Sequence, residues 1–598
     1  MGVESVDDKG TWSRTVAFLS HPVAVIALAA VVRLVTAVAG WERLNADPDS
    51  YRQLAETLAQ TGSYSRPDPV DGVLYPTAYR PPLYPLLLAC LATQEGVPRL
   101  LIVGLHGLLG VGTVALVLHA GRRLGLGRRS AIAGVLTACD PILLHQSTLV
   151  MTETLAAFLA ASGLACALEA MFSRECSNRS SNRDAGRFTS RFTSRFTSRF
   201  TRPFTSRFTR PFTSRKNVDW VAMTWAVASG VMAGMAALCR PTFLPWLPCL
   251  AIAVGFARLR LRVGGRARVP GVPTAGGRAR VPGPPTAGGL LTAGDHVTAG
   301  SLVTAGGLAI AGGNVSEGGT ERARDSDGCR FGRTAFGVHA LMVASLVLAG
   351  GLAVVGLWAA RNNQQMGRWI ATTTHGGYTL LLGNNPDYYG SLVAPAPDGL
   401  PWRLPAEDYL MARCRDSLGP DARTAHDRLR GVARELAEDA LANRCARSHI
   451  VADPALFVRS SLVRMGQFWS PLPQATTVKE GRAKRAARYA VAAWYLVVGV
   501  CAARGTFTWI AAVRRTRLFP FARNGTVRRR VIVRQAVAWS PLVTLILCFA
   551  AAHTLYWSNL RMRGPVMPAI CLLAAAGAAT GSGGGRWRRL TNPEDPRT

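Results

Sequence analysis

The chain has 598 residues, 49% of them hydrophobic, with a mean hydropathy of +0.16 and a formal charge of +34. Soluble proteins rarely combine these values; they fit a protein that gathers apolar residues into membrane spans and arginines into the connections. A nucleic-acid-binding protein would set its basic residues along one soluble surface, whereas here the arginines alternate with long apolar runs.

The first apolar run, 16–40, is long and has no small-residue cleavage site, so a retained anchor is expected in place of a cleaved signal peptide. Further runs of spanning character follow at 99–120, 130–147, 152–171, 219–238, 242–258, 334–358, 486–503, 531–552 and 564–581. Between them, 121–129, 172–217, 259–333, 504–530 and the tail "GRWRRL" are arginine-rich and occupy alternate connections, which assigns them to the cytoplasm. The complementary set, 41–98, 148–151, 239–241, 359–485 and 553–563, is then extracytoplasmic, with both termini inside. This topology requires "RPPLYPLLLACLATQ" (80–94) not to cross; its shortness and its prolines favour a juxtamembrane or re-entrant piece.

The expected fold class is therefore an all-α polytopic membrane protein of about ten transmembrane helices, with a small extracytoplasmic α or α+β domain. An N-terminal transmembrane part, 1–171, carries the first outer loop 41–98. An insert at 172–217, a transmembrane pair at 218–258, a second insert at 259–333 and a single helix at 334–358 follow. The outer domain is 359–485, the C-terminal transmembrane part 486–581 and the cytoplasmic tail 582–598. Within the inserts, 187–215 repeats "RFTS" and "RPFTS", and 265–289 repeats "GRARVPGVPTAGG" and "GRARVPGPPTAGG". Such composition cannot bury a core, so both inserts are expected to be disordered. Twelve cysteines show no CxxC or metal-ligand spacing. Only Cys414 and Cys445 fall in the outer domain, where a disulfide and a pair of free buried thiols are both open.

The chemistry-bearing residues gather on the expected outer face. In "LNADPDSYRQLAETLAQ" (44–60), Asp47 and Asp49 flank a proline just past the first run. Arg80 precedes a Pro-Pro pair; His145 and Glu153 flank a short turn; Arg240 sits in "CRPTF". Arg361 opens the outer domain, and Arg561 and Arg563 lie in "NLRMRGPVMP". Ionisable groups beside apolar spans are costly, so several on one face suggest a site. Each also has a plainer reading. Asp47 is a good helix N-cap with Pro48 at the first helical position. Tyr51, Leu54, Ala55 and Leu58 form the stripe of a helix lying on a membrane. Glu153 suits a helix N-terminus. Arg240, Arg561 and Arg563 suit flanking anchors, and Arg33 snorkelling from the first span to the outer surface.

In order and spacing these segments resemble the GT-C superfamily of membrane glycosyltransferases, which includes protein O-mannosyltransferases and aminoarabinose transferases. Asp47 and Tyr51 match an acid followed four residues later by an aromatic, and "YRPPLYP" supplies a basic residue, Arg80, before Pro-Pro-Leu. "STLVMTETLAAFL", "GLWAARNNQQMGRW" and "LLLGNNPDYYG" resemble the family's step into a span, its entry to the outer domain and its Gly-Asn-Asn segment. "RMRGPVMP" resembles its Arg-Tyr-Arg-x-Pro-x-x-Pro pattern, with Met562 in place of the usual aromatic.

The resemblance implies an inverting transfer of a hexosyl or pentosyl group from a polyprenyl-phosphate carrier at the outer face of the cytoplasmic membrane. Lipid, glycan and protein acceptors all stay open, membrane lipids are partners, and nucleic acid is not. Asp47 would be the base and Asp49 would orient the acceptor. Arg80 comes first for the carrier phosphate, with Arg240, Arg361, Arg561 and Arg563 behind it and Tyr51 and Glu153 lining the site. No cofactor is expected. Some relatives use a divalent ion, and Asp47 with Asp49 offers at most a weak place for one. His375 is expected to be structural before it is a substrate contact. A transporter, or a carrier-lipid-binding protein without catalysis, is the alternative; the acids lie at the membrane edge and not at its midplane, and no span is visibly duplicated.

Overall fold

The computed structural model describes residues 21–173, 219–263, 322–394, 407–475, 477, 479–518, 533 and 536–578. The repeats at 187–215 and 265–289 lie outside the described residues, as do the ends of the chain. The molecule is a bundle of α-helices with one two-stranded hairpin. In chain order the helices of the first part are α1 (Pro22–Ala39), α2 (Tyr51–Thr61), α3 (Leu83–Ala89), α4 (Arg99–Arg123), α5 (Arg129–Ala138), α6 (Pro141–Gln146) and α7 (Glu153–Phe172). Strands β1 (Ser65–Pro67) and β2 (Leu74–Pro76) pair antiparallel between α2 and α3, with Arg66 opposite Tyr75. Then come α8 (Trp220–Cys239), α9 (Trp246–Val263) and the long α10 (Arg322–Met366). Among the described residues, the regular structure between α10 and the next long helix is all helical: α11 (Gly376–Gly383), α12 (Pro386–Val393), α13 (Glu407–Asp416), α14 (Pro420–Asp427), α15 (Gly431–Ala452) and α16 (Pro454–Trp469). The chain closes with α17 (Arg482–Leu518), α18 (Ser540–Leu555) and α19 (Met567–Gly577).

Eight helices among the described residues are long and apolar enough to cross a membrane. Every one of the ten apolar runs contains helix, but two carry shorter pieces. Run 130–147 breaks at Asp140–Pro141, where the proline starts a new helix and the Asp140 carboxylate caps it by accepting from the Leu143 N–H at 2.9 Å. Run 564–581 begins as a 3-10 turn, Leu560–Val566, and becomes α-helical only at Met567. The seven residues of α3 reach about 10 Å at 1.5 Å per residue, far short of a bilayer core.

The centre of the bundle is α7, whose residues are almost all buried. It packs against α4, α8, α9 and the turn at 560–566. Its Ala, Gly and Ser positions let neighbours approach closely, which is how helices associate where no hydrophobic gain separates protein from lipid. Elsewhere the bundle is closed by glycines: a Cβ at Gly234 of α8 would lie 2.7 Å from the Gly351 carbonyl oxygen of α10. The outward surface is apolar, with Val31, Leu34, Val35 and Val38 of α1, Leu108 of α4, Leu357 of α10 and Val500 of α17 all exposed. A multi-pass membrane protein accounts for such a face; a water-soluble bundle does not.

Two sequence expectations change here, and one open alternative closes. The stripe of α2 faces protein and not lipid: Tyr51, Leu54 and Ala55 are buried and Leu58 packs on the main core. Arg33 does not snorkel outward. It is buried, and its Nη1 donates to the Leu143 carbonyl at 3.0 Å because Gly110 of α4 leaves room for the guanidinium. Cys414 and Cys445 are both free thiols, buried in one small apolar cluster between α13 and α15.

One long-range clamp joins the first loop to the helical segment 376–469. Glu435 of α15 is buried and accepts from Thr77 Oγ1 at 2.6 Å, the Ala78 N–H at 3.0 Å and Thr374 Oγ1 at 2.6 Å. Removing that acceptor strands three buried donors at about 1–3 kcal/mol each. Glu435→Ala is therefore expected to lower the thermal midpoint in detergent and to speed hydrogen exchange at the Ala78 amide. Gly234→Leu is expected to cost about 1–3 kcal/mol by overpacking, read as a lower midpoint without a change at that amide.

Candidate functional site

Asp47 lies between the turn Trp41–Asn45 and α2. Its carboxylate accepts from the N–H groups of Tyr51 at 2.9 Å, Arg52 at 2.9 Å and Gln53 at 3.0 Å, so it caps α2 with both oxygens. The chain turns sharply to allow this, and Ser50 is the sole non-glycine residue at positive φ among the described residues, at 58°. Burial raises the Asp47 carboxyl above its usual range, and the three amide bonds pull the other way. A carboxylate offers about four lone-pair directions, so one remains after capping.

Asp49 is gripped by Arg80 twice: Nη2 meets Oδ1 at 2.9 Å and Nε donates to the Asp49 carbonyl at 3.1 Å. The same guanidinium stands 4.7 Å from the centre of the Tyr79 ring and 6.0 Å from that of Tyr51. Tyr64 fixes the backbone here, its hydroxyl donating to the Arg80 carbonyl at 3.0 Å.

Deeper in the bundle, Glu153 is fully buried at the N-terminus of α7. Arg240, at the break between α8 and α9, places Nη1 2.8 Å from Glu153 Oε1, and Arg561 places Nε 3.3 Å from the same oxygen. Arg240 Nη2 also meets Met562 Sδ at 3.0 Å. Two guanidiniums on one carboxylate leave a surplus positive charge. Tyr51 joins the halves: burial pushes its phenol up, and Arg80, Asp49, Arg240 and Glu153 all lie near enough to act on it electrostatically. The ring packs edge-on against Tyr84 at 5.5 Å.

The structure thus brings together Asp47, Asp49, Tyr51, Arg80, Glu153, Arg240 and Arg561. It does not bring Arg361 or Arg563 to them. Arg361 spends its donors on Thr77 O at 2.8 Å, Tyr64 O at 2.8 Å and Asn362 Oδ1 at 3.1 Å, so it holds the backbone before Arg80. Arg563 is buried over the Tyr495 ring at 4.5 Å, reaching the Phe468 and Ser470 carbonyls at 3.3 and 3.4 Å. It belongs with Asp140, whose Oδ1 accepts from Tyr495 at 3.1 Å. Guanidiniums have five donors, and buried backbone carbonyls claim them as readily as a ligand does.

Two further groups support the cluster. Tyr84 Oη lies 2.8 Å from His106 Nε2, and His106 Nδ1 lies 2.9 Å from the Ser147 carbonyl. A carbonyl can only accept, so Nδ1 carries the proton and Nε2 accepts from Tyr84. His106, one of two histidines inside the run 99–120, was a visible signal for this. Glu435 had none, since "ARELAEDAL" reads as an ordinary water-facing helix. Among the described residues no group of three or more His, Cys, Asp or Glu side chains gathers as a metal site.

No protein-family model and no curated protein matches the chain. Among solved structures it is similar to the archaeal oligosaccharyltransferase AglB from Archaeoglobus fulgidus in complex with an inhibitory peptide and a dolichol-phosphate. That likeness has 12% identity, a TM-score of 0.37 and covers 96% of this chain and 52% of the other, so the chain spans about half the length of that neighbour. The apo form of the Archaeoglobus fulgidus oligosaccharyltransferase matches at 12% identity and a TM-score of 0.36, over 92% of this chain and 50% of that one. ArnT from Cupriavidus metallidurans bound to undecaprenyl phosphate matches at 13% identity and a TM-score of 0.30, over 91% and 77%. At these scores the likeness is one of chain course and fixes no residue correspondence.

Proposed function

We propose that the protein is an inverting glycosyltransferase that moves a hexosyl or pentosyl group from a polyprenyl-phosphate carrier to an acceptor in the cell envelope. The observation that carries this reading is the gathering of Asp47, Asp49 and Arg80 with Glu153, Arg240 and Arg561 around Tyr51. The motif order that resembles the GT-C superfamily points the same way. The cluster lies at the opposite end of α4 and α7 from Arg122 and Arg123, which supports an extracytoplasmic site under the positive-inside rule.

In the proposed step an acceptor hydroxyl oxygen attacks the anomeric carbon from the face opposite the phosphate. Its proton passes to the free lone pair of Asp47. The bond from carbon to phosphate oxygen breaks, and both electrons leave on that oxygen. Arg240 and Arg561, with their surplus charge over Glu153, and Arg80 stabilise the growing negative charge. Asp49 holds Arg80 in place. Displacement from one side inverts the anomeric centre.

Asp47→Asn keeps one cap oxygen, enough for the Arg52 and Gln53 N–H groups but not for that of Tyr51, and removes the base. The expected result is a folded protein with a modestly lowered thermal midpoint and transfer reduced about 10²–10⁴-fold; full activity would leave Asp47 a cap only and favour carrier binding without catalysis. Because burial raises the Asp47 carboxyl, kcat/KM is expected to fall on the acid side of a midpoint above the ordinary aspartate range, since a protonated base cannot take the proton. A limb at or below that range would argue against Asp47. Arg80→Ala is expected to weaken binding of a polyprenyl phosphate about tenfold or more, the worth of a charged hydrogen bond, as read by titration in nanodiscs. Unchanged affinity would remove Arg80 from the carrier site.

A further inference from the structure

Beside the cluster lies a second concavity that plays no part in the step just described. It is a small cleft, open to water, between the first loop and helices α11, α13 and α15. Its lining includes Arg66, Tyr79, His375, Tyr378, Glu438 and Asp439. Tyr79 is the shared wall, with the Arg80 guanidinium 4.7 Å and the Arg66 guanidinium 4.3 Å from its ring centre. An occupant of the cleft is therefore one aromatic ring away from the Arg80–Asp49 pair.

The lining has two characters. The rings of Tyr79, His375 and Tyr378 meet in sequence, edge-on at 72° and tilted at 43° with centroids 4.8 and 5.0 Å apart, and give a faceted aromatic wall. Planar polar groups stand around it. Asp439 Oδ1 accepts from the Gly377 N–H at 2.7 Å, which fixes the carboxylate. Its second oxygen has no hydrogen-bond partner among the described residues. Glu438 is held by Arg434 at 3.0 Å. Fixed carboxylates accept from pairs of neighbouring hydroxyls, and Arg66 donates to ring or hydroxyl oxygens. His375 stays neutral, its imidazole held well below the usual range by burial and by Arg80 and Arg66. Glu435 is taken up by Thr77, Ala78 and Thr374 and Glu438 is paired with Arg434, so Asp439 and Arg66 are the charges an occupant meets, one of each sign.

We infer that this cleft is the acceptor subsite and that it takes a carbohydrate: a neutral or amino-bearing sugar ring stacked on the aromatic surface and hydroxyl-bonded to Asp439, Glu438 and Arg66. The inference rests on the glycosyltransferase reading of the neighbouring cluster and narrows it to a glycan acceptor. A plain lipid hydroxyl would present no ring to the aromatic wall and a single donor to Asp439. A peptide is the rival occupant, since a lysine side chain also satisfies that carboxylate.

The test uses the full chain in nanodiscs and saturation-transfer NMR with three probes: maltotetraose, chitosan tetramer and tetralysine. The expected result is transfer to ring protons of at least one saccharide, with affinity reduced tenfold or more in Asp439→Asn and in Arg66→Gln. The Asn variant keeps the acceptor for Gly377, so the fold is expected to hold; the separate Arg66 variant covers the case in which it does not. Polyprenyl-phosphate affinity is expected to be unchanged in both. Binding of tetralysine alone, of no probe at all, or of saccharide equally by wild type and both variants would overturn the carbohydrate assignment while leaving the Arg80-dependent carrier titration, and so the glycosyltransferase reading, standing.

Discussion

A carboxylate placed among lipid-facing helices must be paired or it will take up a proton, and Glu153 sets the terms for everything around it. It is fully buried at the start of the central helix α7, and two arginines converge on a single oxygen. Arg240 comes from the break between α8 and α9, Arg561 from the turn before α19. Three distant parts of the chain are thus tied at one point. Either arginine alone would balance the acid; losing both would leave it uncompensated, at about 3–5 kcal/mol for a broken buried pair. The surplus positive charge then follows from stoichiometry, and an anion is the natural partner for it.

Around that point the structure repeats one economical device. An Asp or Asn followed by proline starts a helix at Asp140–Pro141, Asn385–Pro386 and Asp453–Pro454, each side chain accepting from the N–H three residues on. Asp47–Pro48 uses the same chemistry in altered form, because the helix begins only at Tyr51 and Asp47 accepts from three amides, not one. The altered cap is what leaves the carboxylate at the end of α2 and beside the Asp49–Arg80 pair.

Much of this was legible in the sequence. The apolar runs marked the helices, the prolines marked where they break, and the segments around Asp47, Arg80, Glu153, Arg240 and Arg561 marked the cluster. What was not legible was partnership. Arg361 and Arg563 look like Arg80 in sequence, yet their donors go to backbone carbonyls whose positions depend on the folded loop. Arg33 reads as a snorkelling arginine until Gly110, 77 positions on, turns out to make room for it. The acid of α15 that fixes Thr77 and Ala78 is one of several on an amphipathic helix, and periodicity cannot say which of them turns inward.

The bond between Glu435 and Thr77 spans 358 positions of the chain. During synthesis, the loop bearing Arg80 is made long before the helix that secures it. Until residue 435 has been translated and its segment has docked, Thr77, Ala78 and Thr374 lack their common acceptor. The nascent N-terminal half therefore carries the arginine and both aspartates before the acceptor that fastens Thr77 and Ala78 exists.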